Sequence, residues 1–169
     1  MIVVETDRLV LRRVTLADAP FILELLNDPD WLRFIGDKGV RTLEDARGYI
    51  ETGPLASYAR HGFGLYVVAR KTDPAPIGLC GLVKRDVLPD VDVGYAFLPQ
   101  HRGSGYAHEA AAAVLRFARN EVGLARIAAI TNSENERSIR VLEKLGLSFE
   151  RMIRLAPDSP EIRYFARSL

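Results

Sequence analysis

The sequence predicts a mixed α/β (α+β) fold in a single domain spanning residues 1–169, and three observations carry that reading. Three successive segments between residues 64 and 98 have strand character and are joined by turns, so they pair antiparallel. Residues 104–121 form a helix, with Ala107, Ala111, Val114, Leu115 and Ala118 on one face. That helix links the strand at 91–98 to another at 124–131, and such a β-α-β unit requires a parallel pair. A sheet with both kinds of pairing, covered by helices, is the outcome.

Taken in order, RLVLRRV (8–14) alternates apolar and polar residues and reads as a strand. Asp18 is the expected N-cap of the first helix, because it leaves Pro20 in the first turn, where a missing N–H costs little. Phe21, Ile22, Leu25 and Leu26 form that helix's apolar stripe, and NDPD (27–30) breaks it. Thr42 and Asp45 resemble a capping box for a helix over roughly 43–60. Strands follow at GLYVVARK (64–71), PIGLCGLVKRD (76–86) and VDVGYAFL (91–98), separated by Asp73-Pro74 and Leu88-Pro89-Asp90. LARIAAIT (124–131) is a strand, and SENERSIRVLEKLG (133–146) is a helix closed by Gly146. Strands near 147–155 and 161–168 complete the chain.

Composition excludes several classes. Apolar residues make up 48% and charged residues 27%, as in a soluble globular protein. The net charge of +1 is spread along the chain, which gives no basis for nucleic-acid or membrane binding. Cys80 is the single cysteine, so there is no intramolecular disulfide and no cysteine-based metal site. His61, His101 and His108 are scattered, and no metal is expected. MIVVETDRLVLRR reaches Glu5 and Asp7 too soon for a secretory segment, so the expected location is cytoplasmic.

The stretch LPQHRGSGYAHEA (98–110) raises the functional question. A strand runs into an Arg-Gly-Ser-Gly knot and then into a helix. The first-turn amides are unpaired there, and with the helix dipole they make an anion site. Gly103 and Gly105 permit positive φ, and Arg102 adds a bidentate grip on phosphate. Read alone, the knot is equally an ordinary turn into a helix; it is neither a Walker loop nor G-x-G-x-x-G. On the preceding strand one face carries Asp92, Gly94, Ala96 and Leu98, a carboxylate followed by small residues. Either that face leaves room for a ligand, or the strand lies at an edge with Asp92 in water.

Together these features resemble the GNAT superfamily of acyl-CoA-dependent N-acyltransferases. Gln100-His101-Arg102-Gly103-Ser104-Gly105 matches its Q/R-x-x-G-x-G/A signature throughout. RGSGYAHEA, the later NERSIRVLEKLG, the opening ETDRLVLRRVTLADA and the ending EIRYFARSL are similar to the branch of ribosomal-protein-alanine N-acetyltransferases. The resemblance implies a central, mostly antiparallel sheet of about six or seven strands flanked by about four helices, splayed between its fourth and fifth strands. It implies that acetyl-CoA lies in the splay, with its pyrophosphate on the amides of Arg102, Gly103, Ser104, Gly105, Tyr106 and Ala107. The pantetheine arm would pair with the backbone of Phe97 and Leu98. Asn135 and Ser138 match the branch's N-x-x-S, which implies that Asn135 contacts the cofactor and Ser138 sits near the thioester sulfur. The residues alone also allow Ser138 to bond back to its own helix.

Acetyl transfer to an amine needs a neutral nucleophile, a positioned thioester and donors for developing charge. Cys80, in an apolar strand, is expected to be plain core, so direct attack in a ternary complex is the expected mechanism. Asp92 is the candidate general base, with Asp86 and Glu109 behind it. Many relatives carry a tyrosine general acid where Leu142 stands here, and neither Tyr95 nor Tyr106 is an obvious replacement. An α-amine titrates near ~8 and a lysine near ~10.4, roughly 3 kcal/mol apart, so a weak base suits a peptide N-terminus or another small amine of low pKa. Trp31 and Phe34, with Ile35, either line the acceptor site or belong to the core. The near-neutral charge argues against a strongly acidic acceptor. The chain is left open to act alone or as a homodimer. The competing reading is a non-catalytic acyl-CoA-binding domain of the same fold.

Overall fold

The computed structural model describes residues 1–169. Its strands are β1 (Ile2–Glu5), β2 (Leu9–Arg13), β3 (Leu65–Arg70), β4 (Asp73–Val83), β5 (Asp92–Phe97), β6 (Arg126–Thr131), β7 (Ser148–Ile153) and β8 (Ile162–Ser168). Its helices are α1 (Ala19–Leu26), α2 (Pro29–Phe34), α3 (Leu43–Ile50), α4 (Ala56–His61), α5 (Tyr106–Phe117) and α6 (Glu136–Lys144). All strands join one sheet in the order β1-β2-β3-β4-β5-β6-β8-β7, antiparallel except between β5 and β6. This is the predicted mixed α/β class, with two additions. The sheet gains β1, and Asp28-Pro29, which sequence marks as a break, starts the short helix α2.

Both additions have local causes. β1 is too short to show a long alternation, and pairing with β2 is what makes it a strand. In α2, Asp28 is the N-cap and Pro29 the first helical residue, a position that needs no N–H. The predicted helix 43–60 is α3 and α4, run together through a π turn at Glu51–Leu55 that absorbs Pro54. Its capping box is present: the Asp45 amide donates to Thr42 Oγ1 at 3.0 Å, and the Thr42 amide donates to Asp45 Oδ2 at 3.2 Å. Asp18 occupies the N-cap of α1, but its carboxylate turns back to accept from the Thr15 amide and from the Arg12 guanidinium.

The sheet divides the core into two layers. Tyr66, Val68, Cys80, Leu82, Val93 and Phe97 pack beneath α5, against Ala110, Ala111 and Val114. On the other face Val67, Leu79 and Leu98 meet Ile22, Leu25, Ala46 and Ile50 of α1 and α3. Strands covered on both faces are apolar on both faces, which is why β3 and β4 read as continuous hydrophobic runs. No helix is long and apolar enough to cross a membrane.

Candidate active site

The site begins where the sheet parts. β5 and β6 share a single residue pair, Asp92 with Ala128, where the Val91 carbonyl accepts from the Ala128 amide at 2.9 Å. By contrast β5 shares six pairs with β4, and β6 shares six with β8. Backbone groups alternate between the two edges of a strand, so those of Tyr95 and Phe97 point the same way as those of Val91. They open into the gap. The Leu98 amide faces the other way and donates to the Ile77 carbonyl at 3.0 Å. The backbone free to pair with an extended chain is therefore that of Tyr95 and Phe97, and Leu98 is withdrawn from the expected pair by its bond to the neighbouring segment.

Beyond β5, Pro99–His101 forms a 3-10 turn and the chain enters α5 through Gly103 and Gly105, at φ 83° and 80°. Left-handed backbone at both positions turns successive amides toward one side, and only glycine adopts it without strain. The amides of Gly103 to His108 find no acceptor in the loop, the cap or any side chain. The Arg102 amide does, donating to the Pro99 carbonyl at 3.2 Å. The run of unpaired amides is thus 103–108, one residue on from the expected 102–107. A Cβ on Gly103 would meet nothing within 4 Å, so the loop stands open to a ligand. The side chains of Gln100 and Ser104 are exposed and turn away from the gap's lining, so Ser104 offers only its amide.

Arg102 is also placed differently from expectation. Its guanidinium is held by two carboxylates at the start of α2, Asp28 at 2.7 Å and Asp30 at 2.8 Å. Asp30 also accepts from Arg137 at 2.7 Å. These carboxylates take the charge-assisted bonds expected for a phosphate.

Two cavities meet at the splay. One, of about 350 Å³, is lined by the glycine loop, Tyr95, Phe97, Asn135, Ser138 and the α2 side chains. The other, of about 710 Å³, contains Asp92, Arg85, Lys38 and Tyr49. Trp31, Phe34, Ile35, Tyr95, Ala96 and Ser138 line both. Trp31 is 6% exposed, and its indole Nε1 is buried without an acceptor. A buried donor left unpaired costs stability unless a ligand satisfies it. Asn135 caps α6, its Oδ1 accepting from the Ser138 amide at 3.2 Å. Its amide nitrogen stays free for the smaller cavity.

Asp92 is 1% exposed, on a central strand and not in water. Burial raises its carboxyl pKa to about 6, although Arg85 pulls the other way by donating Nε to Oδ1 at 3.2 Å. The Tyr95 hydroxyl lies 2.8 Å from Ser138 Oγ, and burial pushes its phenol up to about 12. Ser138 therefore reaches across to β5 instead of bonding back to its own helix. Sequence gave no reason to choose Tyr95; only the packing of α6 on β5 brings it to Ser138. Leu142 is buried core at the edge of the larger cavity. Glu109 is fixed by Thr6 and Arg8, which ties α5 to β1 and β2 and removes it from the candidate bases. Cys80 is fully buried in the core. No group of three or more His, Cys, Asp or Glu with metal-ligand geometry occurs.

The gap fits a long, thin ligand with a phosphate at one end: open amides, an unpaired strand edge and an orphan indole donor lie along it. The sequence profile of the acetyltransferase (GNAT) domain matches residues 8–148. The chain is 29% identical over 154 residues to the uncharacterized N-acetyltransferase YoaA of Bacillus subtilis (strain 168), covering 90% of this chain and 86% of YoaA. The crystal structure of a GNAT-family acetyltransferase from Bacillus anthracis superimposes with a TM-score of 0.81 at 27% identity, over 99% of this chain and 98% of that one. RimL, a ribosomal L7/L12 alpha-N-protein acetyltransferase in complex with coenzyme A, shares the fold, with a TM-score of 0.83 at 17% identity over 100% and 98% of the two chains.

Proposed function

The chain belongs to the acetyltransferase (GNAT) family, and on that premise we propose that it is an acetyl-CoA-dependent N-acetyltransferase in which a primary amine attacks directly within a ternary complex. The observation that carries this is the run of unpaired amides, Gly103 to His108, at the mouth of a cavity that joins a second, larger one at Tyr95, Ala96 and Ser138. Donor and acceptor thus have separate chambers with a common wall.

Acetyl-CoA supplies the acetyl group as a thioester: the amine nitrogen adds to its carbonyl carbon, and the carbon–sulfur bond then breaks to release coenzyme A as a thiolate that takes its proton from water. The amides of Gly103 to His108 hold its pyrophosphate, and the backbone of Tyr95 and Phe97 pairs with the pantetheine arm. Asp92 accepts the proton that leaves the acceptor nitrogen. With its carboxyl at about 6 it is ionised at neutral pH, and it matches an α-amine near ~8 better than a lysine near ~10.4. A peptide N-terminus or small amine of this kind is the acceptor the chemistry favours. Tyr95 and Ser138 present hydroxyls to the developing charge at the sulfur. A phenol at about 12 keeps its proton against a thiol of ordinary pKa near ~8.5, so Tyr95 serves as a hydrogen-bond donor and not as the source of the proton.

Calorimetric titration of acetyl-CoA into the wild type and into Gly105→Val tests the premise. A β-branched residue at φ 80° costs ~1–3 kcal/mol of backbone strain, and its side chain stands beside the amides. Binding weakened by about ten- to a hundred-fold in the variant is expected. A folded wild type that does not bind acetyl-CoA overturns the reading.

A further inference from the structure

The larger cavity is electrically lopsided. Its lining includes Arg33, Lys38, Arg60, Lys84 and Arg85, while Asp92 is its single carboxylate. Two of these cations are accounted for: Arg33 pairs with Glu134 at 3.1 Å, and Lys84 donates to the carbonyls of Arg85 and Leu88. Arg85 commits only Nε, to Asp92, and its two terminal nitrogens have no protein acceptor. Lys38, on the loop between α2 and α3, makes no hydrogen bond and no ion pair, although it lies close enough to Arg85 for the two charges to repel. The Tyr49 hydroxyl, in the same wall and also near Arg85, has no partner either. Three sets of donors, with Arg60 as a further unpaired cation, therefore line one cavity without a protein acceptor, and the same cavity holds the carboxylate that would take the proton from the amine. Lys38 is exposed and Arg85 half-buried, and like charges facing one another favour an anion placed between them.

Building on the acetyl-transfer reading, we propose that Lys38, Arg85 and Tyr49 bind a carboxylate of the acceptor. The acceptor is then an amine with a carboxylate a few bonds from its nitrogen. Because Arg85 touches Asp92, an amine presented to Asp92 has Arg85 within reach of a carboxylate on the same or the next carbons. A free α-amino acid and a peptide with an acidic first residue share that chemistry. The net charge of +1 conceals this, since it averages an acceptor cavity rich in cations with acids placed elsewhere.

The test is a thiol-release assay with acetyl-CoA and matched acceptors: free amino acids, peptides with an acidic or a neutral first residue, and the same compounds with the carboxylate converted to an amide. A KM for the carboxylate forms at least about tenfold below that of their amides is expected, with smaller differences in kcat. Lys38→Met should raise the KM of the carboxylate forms about tenfold, to the level of the amides, and Lys38→Arg should restore it. Thermal melts establish that the variants are folded. A preference confined to free amino acids puts the α-carboxylate on the cluster; one confined to peptides with an acidic first residue puts a side-chain carboxylate there; either result upholds the proposal. Equal KM values for acids and amides, or no response to Lys38→Met, overturn it. If acetyl-CoA binds but no amine turns over, acetyl transfer fails as a reading. Calorimetry of the same acid and amide pairs into the CoA-bound protein then decides the anion site alone: indistinguishable binding overturns it.

Discussion

The two cavities at the splay are built from different materials. The smaller opens onto main chain, six consecutive amides and a strand edge without a partner, beside the side chains of α2 and α6 that wall it. The larger is walled by side chains drawn from α2, α3, α4, α6, β3, β4, β5, β6, β8 and the loops between them. A backbone site depends on a short local run of residues with the right φ, and it presents the same groups whatever the side chains are. A side-chain site depends on which elements the fold brings together, and changing a few residues changes what it recognises. One scaffold can thus keep a common donor while its acceptor varies.

Mutations should separate the two regions. The largest effect is expected from Asp92→Asn, which should lower kcat by about 10²–10⁴-fold, the range of a general base, while leaving calorimetric affinity for acetyl-CoA unchanged. Loss of acetyl-CoA binding in this variant would break the separation. It should also melt no lower than the wild type at pH 7.5. A carboxyl whose folded pKa lies above its unfolded value contributes stability when protonated, at low pH, and that contribution is lost as pH rises through about 6. A Tyr95→Phe exchange, on the shared wall, should cost about five- to tenfold in kcat, the value of one hydrogen bond, with little change in either KM.

The pH profile tests the acceptor side without removing its base. Asp92 acts only when ionised, so turnover should rise as pH passes about 6. Arg85, assisted by Lys84, holds that value down against burial. Arg85→Gln should therefore move the acid limb to higher pH; an unmoved limb would assign it to another group. The smallest effect belongs to the donor side. Asp30→Asn frees Arg137 and one of the two carboxylate bonds of Arg102, which Asp28 still holds, and since partly exposed ion pairs are worth ~0–1 kcal/mol, acetyl-CoA should bind up to about fivefold tighter by calorimetry.

How much was legible in the sequence follows the same division. Gly103 and Gly105 could be read as left-handed positions because positive φ restricts the residue, and the run of unpaired amides follows from that short motif. Asp92 could be singled out because its strand face continues with Gly94 and Ala96. The helix α2 was missed because six residues are too few for a periodic signal, though an Asp N-cap followed by Pro at the first helical position was there to be read. Tyr95 could not be chosen: its bond to Ser138 spans 43 residues and depends on how α6 sits on β5. Lys38 and Arg85 are likewise remote in sequence, and net charge carries no record of which cations face one another.

One pair of residues joins β5 to β6, so the eight-stranded sheet is mechanically two sheets sharing a seam. Everything from β1 to β5 is stitched on one side, and β6, β8 and β7 on the other. An extended ligand lying in the gap takes the place of the hydrogen bonds the seam lacks. On the proposed reading the donor is more than cargo: while bound, it would be a removable strand that completes the sheet, and each departure of product would reopen the joint.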